Sequence, residues 1–388
     1  MRIVFFTEFA DPHSTAPGFA VRTLALASHL SGLGFAVTLV SPDKFPADFP
    51  SDALVRLPLN DSQIFRRRGG AFRTLVRTDL TVARYFLRLL NSRRPEAVIA
   101  ALHDPLLAVL ILFASRMVCG TAVFDVHDSW LVLEKEHRGD WKNAFRKLFE
   151  RFAIAFATSV TTVTPTLKRM IAGSYHVRSE KIKVVFSGAE TVVGAADVAK
   201  EVDILHLGSP RPYYDTEAFI DALAASGVSL SVVFLGCDDE SYVRKIKQKA
   251  LQLGLGSEVA FLPPASRAEV SEWLARSKTG LSTLSNDPIY RCAIGVKVFE
   301  YLGHGVPILH LGPAEGETAR LITAGGCGAC ASNVSGMASV IRRTLTDPAG
   351  LAGMSANALA VSREFSWHAS AHHMAEALQS KGRRDLDG

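Results

Sequence analysis

Lys297 and Glu300 stand three residues apart, directly after Gly295, in a stretch that covers residues 289–308. The stretch predicts a helix that begins near Gly295 and ends in glycine, with a proline leading into the next strand. The spacing places the lysine and the glutamate on one face of that helix. A helix N-terminus beside a cation suits a diphosphate, and a carboxylate one turn on could accept hydrogen bonds from a ribose diol. The alternative is an ordinary surface Lys–Glu ion pair.

Two further polar clusters also follow apolar runs. His127 and Asp128 come directly after one such run, and Gly208, Ser209 and Arg211 come after another. A single histidine in such a place is more often a structural residue than a ligand contact, and Asp128 could simply cap the next helix. The residues Asp238, Asp239 and Glu240 also lie between a strand pattern and a helix pattern, which favours a capping role for them.

The elements that must position these residues alternate along the chain as short apolar runs and longer helical patterns. The runs are continuously apolar, as strands covered on both faces should be. Two successive arrays of this kind predict an α/β fold with two Rossmann-like, doubly wound parallel-sheet domains that face a central cleft. A hinge is expected near residues 187–200. The candidate strands are residues 3–6, 36–40, 98–102, 122–126, 160–164, 182–186, 203–207, 231–235, 259–262, 280–284 and 306–311.

The segment around Lys297 resembles the donor-binding motif of retaining glycosyltransferases with the GT-B fold, in particular the family 4-like, or group 1, enzymes. That motif reads lysine, two residues, glutamate, an aromatic residue or alanine, then glycine, a hydrophobic residue and proline. The resemblance implies that Lys297 contacts the donor diphosphate and Glu300 the ribose, while backbone amides at Ile294 and Gly295 face the sugar or phosphate. The sequence departs from the family at Cys292, where a first glutamate normally contacts the transferred sugar.

Other parts of the chain match the same family in the expected order. Gly18 lies in a segment that resembles the glycine-bearing loop near the donor phosphates, although only one of the two usual glycines is present. His127 corresponds to a histidine near the transferred sugar, and residues 187–190 resemble the interdomain turn. Gly208 and Ser209 match the opening of the second domain, where Arg211 would be a second phosphate cation. Residues 365–367 resemble the terminal signature, after which the last helix crosses back to the first domain.

These matches imply an acceptor-side domain over residues 1–190, a nucleotide-sugar domain over residues 191–364, and a crossover helix and tail over residues 365–388. By resemblance, the chain transfers a hexose-type sugar from a UDP- or GDP-sugar to a hydroxyl acceptor, either lipid-linked or a polysaccharide precursor. The transfer retains the anomeric configuration, and the implied catalytic residues are His127, Lys297 and Arg211.

No cofactor other than the donor co-substrate is expected, since neither a G-x-G-x-x-G sequence nor a Walker A loop is present. We also expect no metal, because the one Asp-x-Asp triplet is residues 385–387 in the tail. The pair Cys327 and Cys330 lacks a second pair or a nearby histidine and is not read as a metal site. Five cysteines in so long a chain argue against a disulfide scaffold and fit a cytoplasmic protein.

Two alternatives stay open. A nucleotide-sugar epimerase of the same architecture would need more acid and base carboxylates than the sequence offers. A degenerate GT-B binding or scaffold subunit is favoured by Cys292 and by the incomplete glycine loop. Binding of nucleoside diphosphates separates these possibilities, because a scaffold that had lost its donor site should bind none.

The charge of the chain is unevenly distributed. The net charge is +5 over 388 residues, but residues 1–190 hold 25 Lys and Arg against 17 Asp and Glu. Between residues 64 and 94 there are nine arginines and one acid, Asp79. An amphipathic helix is predicted there, with a stripe formed by Arg73, Arg77, Arg84 and Arg88 opposite an apolar face formed by Leu75, Val76, Leu80, Ala83, Phe86, Leu87 and Leu90.

Arginine without lysine suits phosphate groups, and anionic lipid headgroups attract such a stripe. The segment lacks the interleaved aromatics or motif of a nucleic-acid site, so nucleic acid is not an expected partner. We therefore expect an anionic membrane surface as a partner and a peripheral position on the inner face of the membrane, close to a lipid-linked acceptor. The most hydrophobic run, residues 105–114, is too short to span a bilayer and is interpreted as a buried helix.

Overall fold

A computed structural model of the chain describes residues 1–10, 17–41, 54–57, 72–133, 141–190 and 198–379. The chain forms two compact units, Met1–Phe186 with Trp367–Gly388, and Ser187–Ser366. The domain division at residues 190 and 364 stays a prediction, because these units reflect contacts within the chain and not independent folding. Parts of the predicted hinge and glycine loop, Arg66 to Arg68, and the tail from residue 380 lie outside the described residues.

The first unit is built on a parallel sheet with the strand order β3-β2-β1-β4-β5-β6-β7. Its interior strands are almost entirely buried, which explains why they are continuously apolar in the sequence. The strands are β1 (Arg2–Thr7), β2 (Ala36–Ser41), β3 (Leu54–Arg56), β4 (Ala97–Ala101), β5 (Thr121–Val126), β6 (Ser159–Thr162) and β7 (Ile182–Val184).

Helices cover the first sheet on both faces. The described helices are α1 (Pro17–Gly32), α2 (Phe72–Arg93), α3 (Pro105–Val118), α4 (Trp130–Leu133), α5 (Trp141–Phe156), α6 (Pro165–Tyr175) and, from the C-terminus, α14 (Trp367–Gln379). In α14, Trp367 and Met374 are buried in the same core as Leu26 of α1 and Phe5 of β1. The predicted return of the last helix to the first domain is therefore confirmed.

The second unit repeats the strand order of the first, as β10-β9-β8-β11-β12-β13. Its strands are β8 (Val202–Leu207), β9 (Val232–Leu235), β10 (Val259–Leu262), β11 (Ser277–Thr283), β12 (Ile308–Leu311) and β13 (Gly328–Ala331). Its helices are α7 (Thr216–Ser226), α8 (Glu240–Gln252), α9 (Arg267–Ala275), α10 (Val296–Gly303), α11 (Glu317–Gly325), α12 (Val334–Leu345) and α13 (Pro348–Glu364). Every strand pair is parallel.

The predicted class, α/β with two doubly wound parallel sheets, is confirmed. In both sheets the strand order reverses beside the first strand of the unit, between β1 and β4 and between β8 and β11. Ligands of such sheets bind beyond the carboxyl ends of the strands at this switch point. The topology therefore directs attention to the turns after β1 and β4 in the first unit and after β8 and β11 in the second.

The sequence reading missed two strands at sheet edges. β3 has three residues, and β13 is the short Gly-Ala-Cys-Ala run that includes Cys330. Neither carries the apolar run that marks an interior strand, and their pairing with β2 and β12 completes them. The run at residues 105–114 is helical as predicted, with Asp104 capping its N-terminus; half or more of its side chains are buried, but Phe113 is 48% exposed. Among the described residues, no helix is both long and apolar enough to cross a membrane.

The predicted apolar face of α2 is wrong in part. Val82, Phe86 and Leu90 are buried together with Asp79, but Leu80 and Leu87 remain 42% and 40% exposed. The helix is rotated so that an acid, Asp79, enters the interior and is fully buried. Hydrophobicity alone therefore misplaced the boundary of the buried face.

Gly280 of β11 shows how closely the second sheet packs against α10. A Cβ at this position would lie 2.5 Å from ring atoms of Tyr301. The Tyr301 ring is fully buried, and its hydroxyl bonds the backbone of Leu205, Leu207 and Leu281. The ring therefore cannot move aside without breaking the hydrogen bonds of its hydroxyl to strands β8 and β11.

Gly280→Ala should destabilise the protein by about 1–3 kcal/mol, because it overpacks a fixed aromatic ring. The matched control is Gly353→Ala in α13, where no atom lies within 4 Å of the added Cβ. That control should be neutral or stabilising by about 0.5–1 kcal/mol, since alanine favours a helix. Urea denaturation checks both values. Equal effects of the two substitutions would contradict the packing described here.

Candidate functional site

The turn after β8 is held by two adjacent glycines. Gly208 has a φ of +88°, and Gly236 at the end of the neighbouring strand β9 has a φ of +105°. A Cβ on Gly236 would lie 3.1 Å from the Gly208 Cα, so a side chain would push the two strand ends apart. A Cβ on Gly208 would lie 3.9 Å from the Lys297 Nζ. The predicted donor residues Gly208 and Lys297 are therefore brought together.

The Lys297 ammonium is anchored by a histidine that the sequence analysis did not select. Its Nζ lies 3.0 Å from the Nε2 of His206, the penultimate residue of β8. The Nδ1 of His206 donates to the carbonyl of Gly208 at 3.0 Å, which leaves Nε2 as an acceptor for the lysine. Burial, reinforced by the Lys297 charge, holds the pKa of His206 well below its usual range. His206 is thus a neutral acceptor.

Lys297 has no carboxylate within 4.0 Å among the described residues. Its Nζ lies 4.2 Å from the centre of the Tyr214 ring, a cation–π contact. Burial lowers the pKa of Lys297 to about 7, and the Glu300 charge only partly opposes that shift. An anion bound at this position would favour the charged form again. The side chain is therefore poised to gain a positive charge next to an anionic ligand.

Glu300 lies one turn along α10 and pairs with an arginine instead of with Lys297. Its Oε1 accepts from the Nη1 of Arg267, the first residue of α9, at 2.5 Å. The side chain of Glu300 is 15% exposed and that of Arg267 is 63% exposed. The alternative reading of residues 297 and 300 as a surface ion pair is therefore wrong, because each residue has a different partner.

Arg211 and Ser209 tie the turn after β8 to the turn after β9. The Nη1 and Nη2 atoms of Arg211 donate to Asp239 at 2.9 Å and to Asp238 at 2.8 Å. The Ser209 hydroxyl accepts from the backbone N–H groups of the same two aspartates. Asp239 also caps α8, as predicted, by accepting from the Tyr242 N–H. The charge of Arg211 is thus already balanced by two carboxylates, and a phosphate there would have to compete with them.

Gly295 is the N-cap residue of α10, and Ile294 precedes it with a half-buried side chain. The preceding residue, Ala293, accepts a hydrogen bond from the Thr318 hydroxyl through its carbonyl. Cys292 ends a short 3₁₀ turn, and its thiol is buried against the Ile289 carbonyl. The position where the resembling family has a glutamate therefore presents a buried thiol.

In the first unit, His127 belongs to a buried charged cluster at the end of β5. Arg22 and Asp125 are 1% and 0% exposed, and the Arg22 Nη2 lies 3.1 Å from the Asp125 Oδ1. Arg22 also donates to the Phe186 carbonyl at 2.8 Å, and the Thr161 hydroxyl donates to Asp125 at 2.7 Å. Despite burial, the Arg22 charge and the hydrogen bonds from His127 and Arg22 hold the pKa of Asp125 well below its usual range.

The tautomer of His127 follows from this cluster. Its Nε2 lies 2.6 Å from the Asp125 Oδ2 and 3.1 Å from the Arg22 Nε. Burial lowers the pKa of His127 although Asp125 opposes the shift, so the ring is neutral at pH 7. The 2.6 Å contact with the ionised Asp125 places the proton on Nε2, so the Arg22 Nε–H donates to the Asp125 Oδ2 at 3.3 Å and not to the imidazole. The His127 Nδ1 is then a hydrogen-bond acceptor. Phe19, next to the predicted Gly18 in α1, packs 3.9 Å from the imidazole centre.

Sequence reasoning missed Arg22, Asp125, His206, Tyr214 and Arg267 as parts of these sites. A usable signal existed for some of them. Asp125 and His127 alternate on one strand and so point to the same face, and His206 is a polar residue within an apolar strand, immediately before the glycine turn. Arg267 had none, because it reaches Glu300 from a helix that begins 33 residues earlier.

The predicted membrane-side arginines all belong to α2. Arg84 and Arg88 are exposed, and Arg88 lies 5.9 Å from the ring of Tyr85. The side chains of Arg73 and Arg77 lie outside the described residues.

Arg22→Met should lower the free energy of unfolding by about 3–5 kcal/mol, because it leaves the buried Asp125 carboxylate without its cation. In the double variant R22M/D125N the uncompensated charge is gone, so the loss should be clearly smaller than the sum of the two single losses. Urea denaturation of the four proteins gives the coupling energy. Additive losses would show that the two side chains do not act as a buried pair.

Part of the chain matches a known family model and a curated relative. Residues 18–188 match the Glycosyl transferase 4-like domain. The O-antigen chain mannosyltransferase RfbU of Salmonella typhimurium is 27% identical over 129 residues, which is 32% of this chain. The chain spans about a third of that relative, since the match covers 36% of it.

Two solved structures have the same fold over nearly the whole chain. WaaG, a glycosyltransferase involved in lipopolysaccharide biosynthesis, has a TM-score of 0.71 and 17% identity, with 97% of this chain and 100% of WaaG covered. HepE of Anabaena in complex with UDP and glucose has a TM-score of 0.74 and 18% identity, with 98% and 100% covered. Residues 18–188 therefore match a glycosyl transferase 4-like domain within a chain of the GT-B fold, in agreement with the resemblance to group 1 glycosyltransferases seen in the sequence.

Proposed function

We propose that the protein transfers a hexose-type sugar from a UDP- or GDP-sugar to a hydroxyl acceptor during the synthesis of lipopolysaccharide or a related polysaccharide. The match to the Glycosyl transferase 4-like domain supports a sugar transfer. RfbU acts on the O-antigen chain, WaaG takes part in lipopolysaccharide biosynthesis, and HepE was solved with UDP-glucose. The acceptor class we propose is a lipid-linked glycan or a polysaccharide precursor at the inner face of the membrane.

The observation that carries this proposal is the state of Lys297. Its ammonium lies beside the Gly208 turn at the switch point of a parallel sheet, and it is bonded to a neutral histidine and not to a carboxylate. A diphosphate suits this position, since it supplies the anionic partner that Lys297 lacks among the described residues. Arg211, in contrast, is already engaged by Asp238 and Asp239, so we assign it the role of holding the turn.

Glu300 is proposed to bind the ribose of the donor. Only its Oε1 is bonded to Arg267, so its other oxygen can still accept from a ribose hydroxyl. The Arg267 pair would hold the carboxylate in place during binding. The amides around Ile294 and Gly295, at the N-terminus of α10, are proposed to face the donor as well.

The proposed chemistry is electrostatic. Cleavage of the anomeric C–O bond puts negative charge on the leaving diphosphate, and a cation fixed next to that group lowers the barrier. Lys297 would supply this charge, so that the transfer needs neither a metal ion nor a further cofactor. Retention of configuration is proposed from the family resemblance alone. His127 is proposed to orient the transferred sugar through its Nδ1, which is a hydrogen-bond acceptor at neutral pH.

The affinity for UDP or GDP should fall as the pH rises above 7. The bound diphosphate raises the pKa of Lys297 above its free value of about 7, so binding takes up a proton in that range and Kd rises by up to about tenfold per pH unit. Titration calorimetry between pH 6.5 and 9 measures this change. The phosphates of the nucleotide ionise near pH 6, so their charge changes little over this range.

Lys297→Arg provides the matched control for this pH effect. Its guanidinium stays charged over the whole range, so Kd should no longer change with pH even if the affinity itself is reduced. The same pH dependence in the arginine variant would show that another group takes up the proton.

Glu300→Gln should raise the Kd for UDP or GDP by about 10- to 100-fold, since it removes a charge-assisted hydrogen bond to the ribose. It should leave the Kd for inorganic pyrophosphate unchanged, because that ligand has no ribose. Glu272→Gln on α9 is the surface control. An equal loss for nucleotide and pyrophosphate would assign Glu300 to the phosphate site or to folding, and undiminished nucleotide affinity would remove it from the site.

A second candidate function, a GT-B subunit that binds nucleotide without catalysis, is favoured by Cys292. Its buried thiol stands where the family resemblance places a sugar-binding carboxylate. A hydrolysis screen with UDP-, GDP- and ADP-sugars separates the two functions. Release of a nucleoside diphosphate from one donor class, lost in Lys297→Ala, supports the transferase. Nucleotide binding without release from any donor, also with glycolipid acceptors added, supports the binding subunit.

A further inference from the structure

Three helices of the first unit form one layer on the same face of the sheet. Crossovers between parallel strands are right-handed, so the helices that lead from β3 to β4, β4 to β5 and β5 to β6 lie together. These helices are α2, α3 and α5, and α3 packs beside both of the others. Helix α1, which leads from β1 to β2 in the opposite direction, lies on the other face with α14.

The outward side of this layer is unusually apolar. Eight of the large hydrophobic side chains that are exposed in the described residues belong to these three helices, and in α3 and α5 they recur every three or four residues. Met117 is 73% exposed, and Phe113 packs against Phe156 so that α3 and α5 join into one surface. We call this surface the outer apolar face. Its members are Leu80, Tyr85, Leu87, Phe113, Met117, Phe145, Leu148 and Phe152.

The charges on the same helices have one sign. The sequences of α2, α3 and α5 contain two acidic residues, Asp79 and Glu150, and both are buried. Glu150 is held inside by the hydroxyls of Ser129 and Tyr175. The exposed ionic side chains described on these helices are therefore cations, namely Arg84, Arg88 and Arg93 on α2, Arg116 on α3 and Arg151 on α5.

Apolar and cationic groups are interleaved on each helix. On α2, Leu80, Arg84, Leu87 and Arg88 fall within about 100° of the helix circumference. Aromatic and aliphatic groups that enter the acyl boundary, next to arginines at the level of the phosphates, characterise a surface that lies in a membrane interface. The absence of exposed carboxylates from these helices removes the repulsion that an anionic bilayer would otherwise exert.

We propose that the outer apolar face of α2, α3 and α5 docks on the surface of an anionic lipid bilayer. The arginine stripe of α2 alone would give electrostatic attraction, whereas Phe113, Met117, Phe145, Leu148 and Phe152 supply apolar anchors on two further helices. Docking of this kind does not depend on the proposed transfer reaction. Its success or failure is therefore distinguishable from that of the proposed donor site.

The test is co-sedimentation of the full chain with vesicles of phosphatidylcholine, and with vesicles in which about a third of the lipid is phosphatidylglycerol. The wild-type protein should bind the anionic vesicles far more tightly, and added salt should weaken this binding. The variant R84Q/R88Q should lose about 30-fold in affinity, at about a factor of five for each arginine. The variant F145S/F152S should lose at least about tenfold.

Matched controls come from the second unit. Leu251 of α8 is 66% exposed, and Arg342 and Arg343 are exposed on α12. L251S and R342Q/R343Q should bind vesicles as the wild type does, and unchanged thermal melting of all variants confirms that each one is folded. Equal binding to neutral and anionic vesicles, or equal losses in the controls, would overturn the proposal. Self-association that F145S/F152S abolishes, without vesicle binding, would also overturn it and assign the face to a second copy of the chain.

Discussion

The contact between Lys297 and His206 decides what the second unit can bind. A lysine next to the end of a parallel strand would ordinarily be neutralised by a carboxylate or extended into solvent. Here a neutral imidazole accepts its hydrogen bond at 3.0 Å, and the Gly208 carbonyl fixes the tautomer of that imidazole. The ammonium is therefore held in position without being neutralised. This combination needs glycine at residues 208 and 236, since both have a positive φ and a Cβ on Gly236 would lie 3.1 Å from the Gly208 Cα.

The first unit uses a cation in the opposite way. Arg22 is fully buried and donates to the Asp125 carboxylate and to the Phe186 carbonyl. Its charge is neutralised inside the protein by Asp125, which it keeps ionised. The ionised carboxylate in turn fixes the proton on His127 Nε2. Arg22 is thus a positioning residue, while Lys297 is proposed to meet the ligand itself. The same distinction removes Arg211 from the proposed phosphate contacts, because Asp238 and Asp239 balance its charge.

The sequence predicted the interior strands and the two-sheet architecture well, because strands covered on both faces are continuously apolar. It could not predict β3 and β13, because these short segments lack an apolar run and become strands only by pairing with β2 and β12. The pair Lys297 and Glu300 was found because both lie on one helix. Their partners His206 and Arg267 were not found, since these contacts join residues 91 and 33 positions apart. On α2, Asp79 is buried while Leu80 and Leu87 are exposed, so the buried face differs in part from the face that hydrophobicity predicted.

The central claim is that Lys297 and Glu300 bind the diphosphate and the ribose of a nucleotide. A crystal structure of the protein with UDP or GDP tests it most directly. The account predicts a phosphate oxygen within hydrogen-bond distance of the Lys297 Nζ and a ribose hydroxyl on the Glu300 carboxylate, with the His206 contact to Lys297 retained. A nucleotide bound away from the Gly208 turn, or a diphosphate held by Arg211 with Lys297 unused, would contradict it.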